Sequence, residues 1–262
     1  MKASNQKPVS RFRSIAMSLC LALLAITTSS AALAQDSSAD EWEYDLLING
    51  WLPSVKPTLP TGEQLTWTLK DLLKNLDMMA MAGANARKGK LSLNADVLWM
   101  NLGKDDTLSR EFMGETRELG VDIDLRALPM TLTAGYDVSE GADHRFDLVA
   151  GTRFMYINVA IEFDPTQAPG SKTERAKLKT WDAIVGFQGK KTMSDKWYFN
   201  YSGDIGSGQS DITWGLKAGF GYNFNKWSAQ FGYRYLYWDF KSGDPLTRLA
   251  ILGPYVAAMW TF

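Results

Sequence analysis

The one histidine of this chain, His144, sits beside Glu140 and Asp143, the only place where an imidazole and carboxylates stand close enough in sequence to make a general base with an orienting acid. The segment from Ser139 to Arg145 reads as a short turn, however, and a solvated turn residue makes a poor base. Cys20 is the only thiol; it lies in an apolar N-terminal run and follows Leu19 rather than a small residue, so it reads as filler and not as a lipid-bearing cysteine. Cysteine nucleophiles, thiolate zinc sites and disulfide staples are therefore excluded from the rest of the chain. Asp105 and Asp106 form a carboxylate pair of the kind found in solvated loops. Gly219, Gly221 and Gly232 lack the following helix that a nucleotide loop needs, and are expected to relieve crowding beside large aromatics. From these residues we expect no catalytic site, no metal and no cofactor.

The remaining charges are spaced differently. Glu43, Asp45, Asp96, Asp122, Asp124, Asp147, Asp182 and Asp204, with Arg87, Arg126, Arg153, Lys217 and Arg234, all fall on the polar parity of segments whose other parity is apolar. If those segments enclose a space, the charges face inward. Unpaired charges in a narrow interior are costly, so a hydrogen-bonded network across a lumen is expected, acting as a polar plug or as a narrow conducting path.

Such positioning needs strands. Trp42, Tyr44, Leu46 and Ile48 alternate with Glu43, Asp45 and Asn49, and nine further runs of the same kind follow, ending with Leu249 to Phe262. The count is ten strands, with eight or twelve as alternatives. Within one long strand the apolar set moves from odd positions (Leu119, Val121, Ile123, Leu125) to even ones (Met130, Leu132, Ala134, Tyr136), which predicts a β-bulge near Ala127 to Pro129. Leu69, Leu72, Leu73 and Leu76 recur at helical spacing and predict a short helix over Leu69–Leu76 in the first long connection.

Alternate connections are short (Lys88 to Lys90, Ser139 to Arg145, Lys190 to Lys196, Asn225 to Lys226). The others are mostly longer, especially Pro53 to Asp77, Gly103 to Glu118 and Glu162 to Leu178. Aromatics gather on the apolar face at the short-turn ends, with a looser set (Trp99, Tyr156, Trp181, Trp214, Tyr237) toward the other. Short turns on one side, long loops on the other and two aromatic bands predict an all-β chain: one closed antiparallel barrel spanning an outer membrane, short turns in the periplasm. The competing expectation is a soluble β domain with an ordinary core, but runs of about ten residues suit a tilted bilayer crossing better than globular strands of about 5–6.

Composition agrees. The 262 residues hold 28 Lys+Arg and 29 Asp+Glu, a balance that excludes a basic nucleic-acid face. Residues 1–34 read as a secretory signal: Lys2, Lys7, Arg11 and Arg13 precede the run from Ile15 to Ile26, and Ala31, Ala32, Leu33 and Ala34 supply small residues for cleavage. Its removal after Ala34 takes the formal charge from −1 to −5 and leaves residues 35–262 as the barrel domain. Lys172, Arg175, Lys177 and Lys179 in the third long connection are candidates for contact with lipopolysaccharide phosphates.

The closing stretch Gly253-Pro-Tyr-Val-Ala-Ala-Met-Trp-Thr-Phe262 resembles the terminal strand of bacterial outer-membrane proteins. That resemblance implies Trp260 and Phe262 as the signal read by the outer-membrane assembly machinery. Trp51-Leu-Pro53, Asp71-Leu-Leu-Lys-Asn-Leu-Asp77, Ala86-Arg-Lys-Gly89, Gly203-Asp-Ile-Gly206, Ser210-Asp-Ile-Thr-Trp214 and Trp227-Ser-Ala-Gln-Phe-Gly-Tyr-Arg-Tyr235 resemble a family of uncharacterised proteobacterial outer-membrane β-barrel proteins, of OmpA-type form. The resemblance implies location and fold, and carries no reaction or ligand. The expected role is structural or that of a narrow passive channel, with a surface receptor or adhesin acting through the loops as the alternative.

Overall fold

In a computed structural model the chain is described over residues 41–58, 76–112, 115–140, 143–165 and 172–262, with a few isolated positions between 60 and 66. Side chains are described over 41–58, 80–101, 125–140, 143–158 and 175–262, and at Ala160. The expected signal (1–34) and residues 69–75 of the expected helix lie outside the described residues, and Leu76 opens a strand.

Eleven strands form: β1 (Glu43–Trp51), β2 (Ser54–Thr58), β3 (Leu76–Lys88), β4 (Leu91–Phe112), β5 (Glu115–Asp137), β6 (His144–Pro165), β7 (Lys172–Thr192), β8 (Trp197–Gly208), β9 (Ser210–Asn223), β10 (Trp227–Phe240) and β11 (Arg248–Thr261). Each from β3 onward pairs antiparallel with the next, and β11 pairs back onto β1, so the sheet has no free edge and its backbone groups are satisfied within the wall. β1 and β2 share one position in that wall. Pro53 lacks an N–H and interrupts the strand, yet Leu52 N donates to Pro254 O (3.0 Å) and β2 continues along β11. The barrel therefore has ten staves, as expected.

Hairpin chemistry explains the tight end. Gly89, with φ +54°, and Lys90 link Lys88 to Leu91, a two-residue turn that needs a left-handed backbone. At the other end the expected loops Gly103 to Glu118 and Glu162 to Leu178 are largely strand: β4 and β5 pair out to Phe112 and Glu115, and β6 and β7 out to Phe163 and Lys172. The four strands β4–β7 run 21 to 23 residues, against 12 to 14 for β8–β11, so one side of the wall stands taller.

The expected bulge in β5 does not form. Val97↔Met130 and Met100↔Ala127 keep one register, and β5 pairs with β6 without interruption through Leu128↔Tyr156 and Pro129↔Met155. Odd positions of β5 thus face the lumen along its described length: Leu125 and Ala127 are buried there, and Thr131 and Thr133 line the same interior nearer the short turns. The parity shift in the sequence marks a change in the lumen's own chemistry.

The interior is accordingly built in two layers. Toward the long connections Trp51, Leu98, Met100, Met155, Ile157, Trp238 and Ile251 pack inside the barrel with almost no exposure. Toward the short turns the inward positions are mostly polar or charged, with Leu47, Val149 and Met259 among them, and surround a cavity of about 420 Å³. The outward face is apolar, with Ile48, Val185, Leu216 and Val256 all exposed. Aromatics band it at the short-turn end, including Phe224 stacked on Trp227 (4.3 Å) and Trp197 edge-on to Tyr222 (5.1 Å).

Candidate functional site: the charged half of the lumen

Three arginines and three aspartates meet across this interior. Arg87 of β3 reaches Asp147 of β6 (2.8 Å), Arg153 of β6 reaches Asp204 of β8 (2.7 Å), and Arg234 of β10 reaches Asp96 of β4 (2.6 Å). None of these strand pairs is adjacent in the sheet, so each bridge braces the wall from within. Every partner comes from an inward parity, which is why alternating sequence positions converge on one enclosed space.

The bridges are embedded in neutral donors and acceptors. Asp147, fully buried, also accepts from Ser92 Oγ (2.8 Å) and Gln188 Nε2 (2.8 Å). Arg153 donates to Thr131 Oγ1 (3.3 Å) and Thr213 Oγ1 (3.1 Å). Asn85 donates to Asn94, whose own amide reaches Thr133 Oγ1 (3.2 Å). Sequence reasoning missed these neutral members; their signal was the same parity as the charges.

At the seam between the layers two guanidiniums lie against indoles. Arg153 stands 5.7 Å from the ring centroid of Trp238, and Arg234 5.2 Å from that of Trp51. Planar cations can stack on an apolar layer while their edges stay hydrogen-bonded, so the transition costs little.

The other expected lumen residues divide. Glu43, Asp45 and Lys217 line the cavity. Asp182 is buried and accepts from Ser210 N (2.7 Å) through Oδ1, while Oδ2 has no partner among the described residues. Arg126 is a correction: it is exposed on the outer face, because β5 carries no bulge to turn it inward. The side chains of Asp122 and Asp124 lie outside the described ones, and their backbones pair with Glu162 and Ala160. Of the terminal pair, Trp260 is half-buried opposite Leu46 and Trp227, and Phe262 is exposed.

His144 opens β6 rather than sitting in a turn. Its Nε2 lies 2.6 Å from the Tyr201 hydroxyl, and its ring joins an outward cluster with Phe146 and Tyr201. Among the described residues no group of three or more His, Cys, Asp or Glu is arranged to hold a metal ion.

These features define a closed ten-stranded antiparallel barrel with an apolar, aromatic-banded exterior and a lumen part braced by ion pairs and part filled with apolar side chains. No protein-family model matches the chain, and no curated protein matches it in sequence. Among solved structures it is similar to the outer membrane protease OmpT from Escherichia coli (TM-score 0.48, 10% identity, 87% of this chain and 99% of that one). It is similar also to the translocator domain of the autotransporter NalP from Neisseria meningitidis (TM-score 0.47, 10% identity, 95% and 98%). A third is Ail, the attachment invasion locus protein of Yersinia pestis (TM-score 0.38, 7% identity, 85% and 99%). At these values no role passes to this chain; the case for its setting rests on its own surface.

Proposed function

We propose that this chain is an integral outer-membrane β-barrel, exported by the signal over residues 1–34, whose lumen is shut. The observation that carries the reading is inverted amphiphilicity: Ile48, Val185, Leu216 and Val256 face outward and exposed while Asp147 and Arg153 are buried inside. A soluble β domain would reverse those positions, because exposed apolar area on this scale costs free energy in water and none in hydrocarbon. The apolar layer from Trp51 to Trp238 then blocks a through-path, so the role is structural and the narrow passive channel is disfavoured. No reaction is assigned to the chain.

The lipid partner follows from Arg126. Arg126, Asn158 and Lys177 form one paired row across β5, β6 and β7, with Lys179 beside it over the Tyr156 ring (5.6 Å). Outward cations cost about 2–4 kcal/mol at a bilayer midplane and about 0–1 near an interface, which favours a headgroup-level position for this row, where it would meet lipid phosphates such as those of lipopolysaccharide. At the C-terminus Trp260 and Phe262 are offered to the assembly machinery.

A second reading draws on the tall wall. The strands β4–β7 outrun their neighbours and make a projecting sheet suited to a surface receptor or adhesin. Deletion of its upper part is expected to abolish any cell or phage attachment and leave the barrel intact.

The deciding experiment is extraction and electrophoresis of membranes containing the full chain, paired with planar-bilayer recording. Detergent-dependent solubility, heat-modifiable mobility and no stable conductance are expected. A monodisperse protein without detergent, or a large steady pore, overturns the reading.

A further inference from the structure

The wall is closed only as high as all its staves reach, and beside β7 it stops early. β8 and β9 are joined by Gln209 alone, and β7 pairs with β8 no higher than Asp182↔Gly208. One further rung follows at Trp181, whose N donates to the exposed Gln209 side chain (Oε1, 3.0 Å) and whose O accepts from Gln209 N (3.1 Å). The β8 to β9 tip is tied down at that height, since Lys241 Nζ donates to Gly208 O (2.8 Å). β7 nonetheless continues to Lys172, paired on its other side with β6 as far as Phe163.

That last rung fixes where the open backbone groups point. On an antiparallel strand the N–H and C=O of every second residue face the same neighbour, so Lys179, Lys177 and Arg175 present theirs on the side that Trp181 does. No described strand lies there to receive them. An unpaired edge is untenable in hydrocarbon and tolerable in water, which agrees with a headgroup-level position for the row that contains Lys177.

The side chains of the same three residues are exposed on the outer face, and all are basic. Opposite them on β6 stand Tyr156, Asn158 and Ala160, which bring no negative charge. A second copy docking through the same edge would set like charges against each other. An acidic extended chain meets both the backbone groups and the charge.

We propose that the edge of β7 from Arg175 to Lys179 is a strand-addition site for an extended acidic segment of another polypeptide, its carboxylates lying on the face that carries Arg175, Lys177 and Lys179. Gln209 closes the rung below and sets the lower limit of the site. The proposal deepens the reading of β4–β7 as a receptor surface and rests on it.

The test is fluorescence anisotropy of labelled, end-blocked peptides titrated with the full chain refolded in neutral detergent micelles. A peptide alternating Glu and Thr is expected to bind saturably, and its Lys-for-Glu counterpart about tenfold more weakly or less. The same acidic peptide N-methylated at its glutamates keeps the charge but cannot form the ladder, and is expected to lose about tenfold or more. Lys177→Pro removes an N–H that faces the added strand and not β6, so it is expected to weaken binding about tenfold while heat-modifiable mobility stays as in the parent. The proposal is overturned by absence of saturable binding of the acidic peptide to the folded parent, or by a folded Lys177→Pro variant that binds like the parent. It is overturned also if the N-methylated peptide binds as well as the unmodified one, the result expected where these cations serve lipid phosphates by charge alone. Each of those outcomes leaves the deletion of the upper sheet to decide the receptor reading by itself.

Discussion

Arg234 and Asp96 lie 138 residues apart in sequence and meet across the lumen in a two-pronged contact, Nη2 to Oδ1 at 2.6 Å and Nη1 to Oδ2 at 3.2 Å. Planar guanidinium against carboxylate fixes distance and orientation together, so the pair ties β10 to β4 through the barrel's interior. In a double-mutant cycle with Arg234→Met and Asp96→Leu, each single change is expected to cost more than its share of the double change. A coupling of about 2 kcal/mol should appear in urea unfolding from detergent; additivity would show that the contact does not brace the wall.

Asp147 and Asp182, the most deeply buried aspartates among the described residues, should respond oppositely to the same substitution. Asp147→Asn removes the charge opposite Arg87 and weakens four hydrogen bonds, which is expected to destabilise by about 2–4 kcal/mol. Asp182→Asn can keep the bond from Ser210 N and relieves an oxygen that has no donor among the described residues, so stability should be equal or higher. Midpoints of urea unfolding for the two variants provide the check.

Position along one strand pair also separates Arg126 from Arg153. Both lose one positive charge on mutation to Leu, but Arg126 is outward and exposed while Arg153 is buried with Asp204, Thr131 and Thr213 around it. Arg153→Leu is expected to cost about 3 kcal/mol or more, Arg126→Leu to stay within about 1 kcal/mol. Equal costs would place Arg126 in the lumen after all.

Trp238 and Met155 are both completely buried in the apolar layer. Replacing both with Ala should remove the seal: stable single-channel conductance is expected where the parent shows none, together with a stability loss of about 3–5 kcal/mol for the tryptophan alone. A double variant that folds and stays silent in planar bilayers would mean that the block lies elsewhere.

The aromatic bands, the hairpin at Gly89 and the stave count were legible because each follows from neighbouring residues. Trp42 with Tyr44, or Phe224 with Trp227, announce an outward belt wherever their strands lie. Pairing partners were not legible, since nothing near Asp147 in sequence points to Arg87 or Gln188. The reach of β4–β7 was also hidden: Gly103 to Glu118 carries polar residues that read as loop, and only cross-strand pairing makes it strand.

What the order of residues determined by itself is the two-residue period, and with it the strands, their turns and the separation of two faces, because side chains on an extended backbone must alternate. What tertiary structure alone decided is which face is inside at each height. Leu125 and Ala127 share a parity with Thr131 and Thr133, and an apolar residue on a barrel strand is equally at home against lipid or within a packed interior. Only closing the wall from β11 to β1, with β5 in unbroken register, settles that choice, and it sends Arg126 outward and builds the apolar layer above the ion pairs.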